Sequence, residues 1–213
     1  MIFVSISDPQ IDKCIELVEK YRNVELRLDL IKPEFDDIGL MISKAESSIC
    51  TYRDISDPQK AYDYTIKALE LGADIVDYSL DNTQDMIRQI VATARKNEKM
   101  VMLSYHNFET APDTEMLDGL ISEAEEYSPD LIKLAVLVKN DEESERVLEL
   151  MKNKDNVIPV TMGEDGKKGR LKAYFYGCPV VYAYPDGEMP TAPGQLPFSD
   201  YKDMDKIIGI IYR

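Results

Sequence analysis

Leu131-Ile132-Lys133-Leu134-Ala135-Val136 sets a lysine in the middle of an apolar run with β character. In a strand the side chains alternate, so Leu131, Lys133 and Ala135 share one face and Ile132, Leu134 and Val136 the other. Strands apolar on both faces belong to parallel sheets covered on both sides. Inside such a sheet the ammonium has no route to bulk water along the strand. Desolvation lowers its pKa toward neutrality, and a neutral lysine amine can condense with a ketone to a Schiff base. The alternative is a lysine at a strand end, its methylenes packed and its head in solvent. The stretch alone leaves both readings open.

Outward from this strand, expected over Asp130–Val136, short apolar runs alternate with longer amphipathic ones. Before it, strands are expected over Ile2–Ile6, Val24–Leu30, Ser47–Arg53, Ala73–Tyr78 and Lys99–Tyr105. Helices are expected over Pro9–Tyr21, Glu34–Ser43, Asp57–Leu71, Thr83–Lys96 and Thr114–Tyr127. Ile11, Cys14, Ile15 and Val18 show the helical spacing in the first, and Asp57-Pro58 reads as an N-cap and first helical position in the third. After it come a helix over Asp141–Lys152, a strand over Asn156–Thr161, a short helix over Gly169–Tyr176 and a strand over Pro179–Tyr184. A final helix spans Ser199–Ile210, capped by Ser199 or Asp200.

About eight strand–helix units without a break in composition is the arithmetic of an α/β chain folded as one (β/α)8 TIM barrel domain over residues 1–213. A doubly wound open sheet would usually carry a glycine-rich phosphate loop after its first strand. Here that loop reads Ser7-Asp8-Pro9.

The net charge of −15 argues against nucleic acid or an anionic membrane as partner. No run of about 18 apolar residues marks a membrane span, and the start, Met1-Ile2-Phe3-Val4, is too short and uncharged for a secretory signal. The three cysteines, Cys14, Cys50 and Cys178, are far apart, and His106 is the single histidine. A reduced, cytoplasmic protein without structural zinc is expected.

Barrel active sites are built at the carboxyl ends of the strands. There the second strand carries Glu25, Arg27 and Asp29 on one face, with Leu26, Leu28 and Leu30 on the other. Charges aimed into a barrel must be paired and hydrogen-bonded, and for Asp29 an internal ion-pair layer and a functional role stay equally open. Arg53, Asp77, the run Ser104-Tyr105-His106 and Lys133 follow on the next four strands. The loop over residues 162–170 ends in Gly169-Arg170, whose guanidinium could fork onto a carboxylate; a flexible hairpin is the alternative. The long loop from Pro185 to Pro197 is of a length often used for lids, and holds Thr191-Ala192-Pro193-Gly194-Gln195. Arginines suit an anionic, planar group, the lysine a ketone, and the histidine acid–base work.

These motifs resemble type I 3-dehydroquinate dehydratase. The resemblance rests on Val24 to Asp29, Thr51-Tyr52-Arg53, Ser104 to Phe108, Asp130 to Ala135, Met162-Gly163 with Gly169-Arg170, and Ala192 to Gln195, in the family's order along nearly the whole chain. It implies a cofactor-free and metal-free lyase that converts 3-dehydroquinate to 3-dehydroshikimate in the shikimate pathway. By it, Lys133 forms the imine and His106 moves the protons. Glu25, Arg27 and Arg53 hold the substrate's hydroxyls and ring, Arg170 and Gln195 its carboxylate, and Ser5 lines the pocket. Thr191 stands where the family usually has serine. Asp57 stands in place of a glutamate that orients the histidine, and Gly169 in place of a serine. Members of the family are often dimers, so a homodimer is expected. Two other readings keep the same residues: a class I aldolase with Lys133 as its imine lysine, and a non-catalytic barrel that binds anions.

Overall fold

The structure is a computed structural model that describes residues 1–54, 56–152 and 154–211. Among these residues nine strands form one parallel sheet: β1 Ile2–Ile6, β2 Asn23–Arg27, β3 Ser47–Thr51, β4 Ile75–Ser79, β5 Met100–Asn107, β6 Leu131–Leu137, β7 Val157–Met162, β8 Val181–Tyr184 and the short β9 Leu196–Pro197. Their order is β7-β6-β5-β4-β3-β2-β1-β8-β9, so β1 pairs with both β2 and β8 and the sheet curls on itself. Helices alternate with the strands: α1 Ile11–Tyr21, α2 Leu28–Ile31, α3 Phe35–Lys44, α4 Pro58–Glu70, α5 Gln84–Lys96, α6 Thr114–Glu125, α7 Asp141–Leu148 with a 3-10 turn over Glu149–Lys152, α8 Lys167–Phe175 and α9 Phe198–Ile211. This is the expected α/β barrel. β6 and β7 are buried on both faces almost throughout, as strands covered by helices outside and side chains inside must be. Among the described residues no helix is long and apolar enough to cross a membrane.

Short polar side chains start α5, α6 and α7. Thr83, Asp113 and Asn140 accept the backbone N–H of Met86, Met116 and Glu143. Two expectations near helix starts are corrected. The second strand ends at Arg27, and Leu28–Ile31 form a helical turn closed by Lys32 at φ +55°. The alternation of leucines therefore stops at Leu28, and Leu30 lies 41% exposed. The last helix begins at Phe198, so neither Ser199 nor Asp200 caps it; Asp186, in the preceding loop, accepts the Ser199 N–H at 2.9 Å.

Among the described residues β7 and β8 share no ladder. Asn156 and Met162 turn their carbonyls to the β6 side, so by the period of two Pro159 and Thr161 face the seam. Proline has no N–H to give there. Side chains cover the facing carbonyls instead: Arg170 Nε donates to Thr161 O on β7 at 2.9 Å and the Tyr201 hydroxyl to Tyr182 O on β8 at 3.5 Å. Above them Gly163 N–H donates to Pro193 O at 3.2 Å, which ties the long loop before β9 to the top of β7. Gly194 lies at φ +73°, and a Cβ there would run into the Gly163 carbonyl, so the turn that closes the seam requires glycine.

Candidate active site

The carboxyl ends of the strands and the loops beyond them enclose a cleft of about 520 Å3, its mouth included. Ser5, Glu25, Arg27, Arg53, His106, Lys133, Arg170, Thr191 and Gln195 all line it. Asp57 does not. Its carboxylate accepts the Lys60 N–H at 3.0 Å as the cap of α4, and its side chain is exposed. Helix capping claims the group that the sequence offered as the histidine's orienter.

Lys133 sits at the centre, 3% exposed. The register brings its neighbours into line: Ser104 on β5 pairs with Lys133, and His106, one pleat further on the same face, pairs with Ala135. Asp77 on β4 reaches across the interior to bond the Lys133 ammonium. The same Oδ2 accepts from Arg53 Nη2 at 3.1 Å. The Tyr182 hydroxyl lies 3.5 Å from Lys133 Nζ.

Burial pulls the Lys133 ammonium below its usual value, with Asp77 pulling the other way. Burial alone would raise the Asp77 carboxyl, but Lys133 and then Arg53 outweigh it and hold it below the usual carboxylate range. The His106 imidazole is pushed well below its ordinary value by burial, then by Arg53 and Lys133, against the attraction of Asp77. The residue as a whole is half-buried, yet its Nε2 is covered and has no hydrogen-bond partner among the described residues. A neutral imidazole with a free ring nitrogen is a proton acceptor ready for use.

The remaining polar groups form two sets. Arg27 forks onto Asp29 at 3.0 and 2.6 Å, so Asp29 is the counter-ion of that arginine. In the other set, Thr191 donates to Gln195 Oε1 from its N–H at 2.8 Å and its hydroxyl at 3.0 Å. Gln195 Nε2 donates to the Ser5 hydroxyl at 2.9 Å, and Ser5 in turn to Glu25, which also accepts from Thr51 at 2.9 Å. This relay links the long loop to β1, β2 and β3.

Arg170 stands apart. It is 5% exposed, and its bonds go to the carbonyls of Thr161 and Pro193 alone among the described residues. Arg27, Arg53, Lys133 and Arg170 against Glu25, Asp29 and Asp77 leave the interior one positive charge in excess. A buried cation without an anion is costly, and a carboxylate brought in by a small molecule would relieve it.

Beside Arg170, Gly169 has no room for a side chain. A Cβ there would meet the Ser144 hydroxyl and, at 2.6 Å, that of Thr161, both buried. Gly169→Ser is therefore expected to destabilise the fold by about 1–3 kcal/mol through overpacking. Chemical denaturation of the two proteins side by side checks this, and equal midpoints would refute it.

The sequence pattern assigns no role to Asp77 or Tyr182, although Asp77 stands toward the end of its strand. Both contact Lys133 from strands that are not its neighbours. Apolar Ala135, Val160 and Met162 complete the wall, and Phe108, 55% exposed, stacks on His106 with ring centroids 6.2 Å apart.

Comparison with known proteins agrees with this geometry. A model of the family described as Type I 3-dehydroquinase matches residues 2–212. The 3-dehydroquinate dehydratase of Archaeoglobus fulgidus is 30% identical over 195 residues, covering 92% of this chain and 94% of that protein. Among solved structures, 3-dehydroquinate dehydratase from Geobacillus kaustophilus superposes with a TM-score of 0.87 at 21% identity, over 100% of this chain and 92% of that one. The type I 3-dehydroquinate dehydratase of Clostridium difficile, solved with covalently modified comenic acid, gives 0.85 at 20% identity, over 97% and 91%. The two structures speak for the fold; the match along residues 2–212 and the archaeal relative go further, and on them this chain belongs to the type I 3-dehydroquinase family.

Proposed function

We propose that this chain dehydrates 3-dehydroquinate to 3-dehydroshikimate, a step of the shikimate pathway, through an imine on Lys133. The observation that carries the mechanism is a dry amine and a free imidazole nitrogen on adjacent strands of one small cleft. The Lys133 nitrogen attacks the ketone carbon once its proton has left, a loss that burial favours. The oxygen departs as water with two protons, one from the nitrogen and one from solvent. The iminium left behind draws electrons from the neighbouring C–H bond. Neutral His106 takes that proton, and the bonding pair moves to the nitrogen as an enamine. The imidazolium then protonates the hydroxyl on the next carbon, which leaves as water while the pair returns. Hydrolysis of the conjugated iminium releases product and amine.

Glu25, Arg27 and Arg53 hold the substrate's hydroxyls and ring in this reading, with Ser5, Thr191 and Gln195 around them. Arg170 and Gln195 receive its carboxylate, which neutralises the excess charge of the site. Arg170→Ala should raise KM about 10- to 100-fold, the worth of a lost charge-assisted pair, with a smaller change in kcat. Arg170→Lys keeps the charge without the fork and should recover part of the loss. Steady-state kinetics decides; an unchanged KM would remove the carboxylate from Arg170.

The reading includes a single domain over residues 1–213 and a cytoplasmic homodimer that works without metal or organic cofactor. A net charge of −15 supports the expected lack of nucleic-acid and membrane partners. The direct test is ultraviolet absorbance on adding 3-dehydroquinate, because the conjugated product absorbs and the substrate does not. Borohydride should then leave a reduced adduct on the peptide that holds Lys133. Turnover without any adduct would remove the imine.

A further inference from the structure

Lys133 Nζ lies 4.5 Å above the centroid of the Tyr182 ring. Tyr182 is 5% exposed, lines the cleft, and comes from β8, across the interior from β6. Its hydroxyl is the weaker part of the contact. At 3.5 Å from Nζ it sits at the limit of a hydrogen bond, and its own proton points to Met102 Sδ at 3.3 Å. Burial, then Glu25 and Asp77, push the phenol well above its usual value, so it stays neutral and takes no proton. What Tyr182 offers the nitrogen is a ring face, whose quadrupole attracts a cation and does so most where water is excluded.

We propose that the face of Tyr182 stabilises the positive charge on the Lys133 nitrogen through the iminium stage of the reaction. The proposal rests on the imine reading of Lys133. Its force comes from counting hydrogens. As an ammonium the nitrogen carries three, enough for Asp77, the Tyr182 hydroxyl and the open cleft. When the amine and the ketone join, with uptake of one proton and loss of one water, the C=N nitrogen keeps its positive charge and a single hydrogen. Asp77, hydrogen-bonded to the ammonium, is the natural holder of that one. The ring face needs no hydrogen and remains a partner for the charge whenever the nitrogen carries one. Asp77, Arg53, Glu25 and His106 also act on this corner, two negative and two basic or cationic groups. The aromatic face adds a stabilising surface without adding another ionisable group to them.

The test separates face from hydroxyl and from packing. Tyr182→Phe keeps the face and should stay within about 3-fold of the parent in kcat. Phenylalanines carrying one to several ring fluorines at position 182 keep the shape and drain the face of negative potential. Along that series log kcat and the rate of borohydride-trappable imine formation should fall stepwise, by roughly 30-fold at full fluorination. Tyr182→Leu, if it folds, should fall at least as far. A flat fluorine series overturns the proposal, and so does a Tyr182→Phe loss as large as that of full fluorination, which would put the effect in the hydroxyl. Failure of the underlying reading looks different: the parent itself would then turn over without a borohydride adduct on Lys133.

Discussion

Lys133→Ala should lower kcat by at least about 10^4-fold, the scale on which removal of a covalent nucleophile acts. Among the described residues no other lysine lines the cleft, so no second amine stands ready to take over the imine. The carboxylate site proposed at Arg170 lies on a different element, α8, and should survive. Product binding measured by calorimetry is therefore expected to remain detectable while turnover disappears. The variant also unbalances the interior, because Asp77 keeps only Arg53, at 3.1 Å, as its counter-charge. Breaking a buried pair costs about 3–5 kcal/mol when one charge is left alone, and the remaining arginine should hold the loss below that. The acid limb of stability changes as well. In the parent, Asp77 has its pKa depressed by Lys133 and Arg53. That contribution is present above the usual carboxylate range of about 4 and is lost as pH falls through the depressed value. Without Lys133 the depression shrinks, so the variant should lose less on acidification than the parent does. Turnover within about 10-fold of the parent would sink the covalent mechanism, whatever the stability data showed.

Much of this site could be read from local sequence pattern, and the part that could not has a common cause. Lys133 is legible because a charged residue breaks a run that is apolar on both faces. Glu25 and Arg27 are legible because the period of two puts them together on the face opposite Leu26. That same period misleads one step later. Leu28 and Leu30 continue the alternation, but the chain turns helical at Leu28, and no glycine or proline marks the break before Pro33. Asp57 carries two competing signals, a place near the histidine by resemblance and a cap position before Pro58, and the backbone N–H of Lys60 wins it. The contacts of Lys133 with Asp77 and Tyr182 are a different matter. They join β6 to β4 and to β8, across the interior, and depend on how the sheet curls. No window of neighbouring residues carries that curvature. The β7–β8 seam is hidden in the same way: Pro159 hints that a ladder is interrupted, but that Arg170 and Tyr201 fill the gap is settled only by packing.

His106→Ala should slow kcat by about 10^2- to 10^4-fold, the range for losing a positioned acid–base group. It should do so at a different step from Lys133→Ala. The amine keeps its place, its contacts with Asp77 and Tyr182, and its access to the ketone. Imine formation should continue, while removal of the adjacent proton loses its acceptor. The intermediate then accumulates, and borohydride should trap more adduct on the Lys133 peptide in this variant than in the parent at equal turnover time. Asp77 acts on both groups, but Lys133 and Arg53 already bond its Oδ2, so it is a poor substitute base. Two further readouts follow from the environment of the imidazole. Burial and the flanking cations keep His106 neutral well below the ordinary imidazole range. The parent's rate should thus persist as pH falls past about 6.5 and be lost only where the imidazole takes a proton. The variant should show no such limb. A cavity is also left beside Phe108, whose ring stacks on the imidazole, and free imidazole added to the assay should restore part of the rate through it. Substrate deuterated next to the carbonyl should give a larger isotope effect in the variant, since proton removal then limits turnover. A variant that kept the parent's rate, trapped no extra imine and ignored added imidazole would take the proton shuttle away from His106 and leave it to solvent.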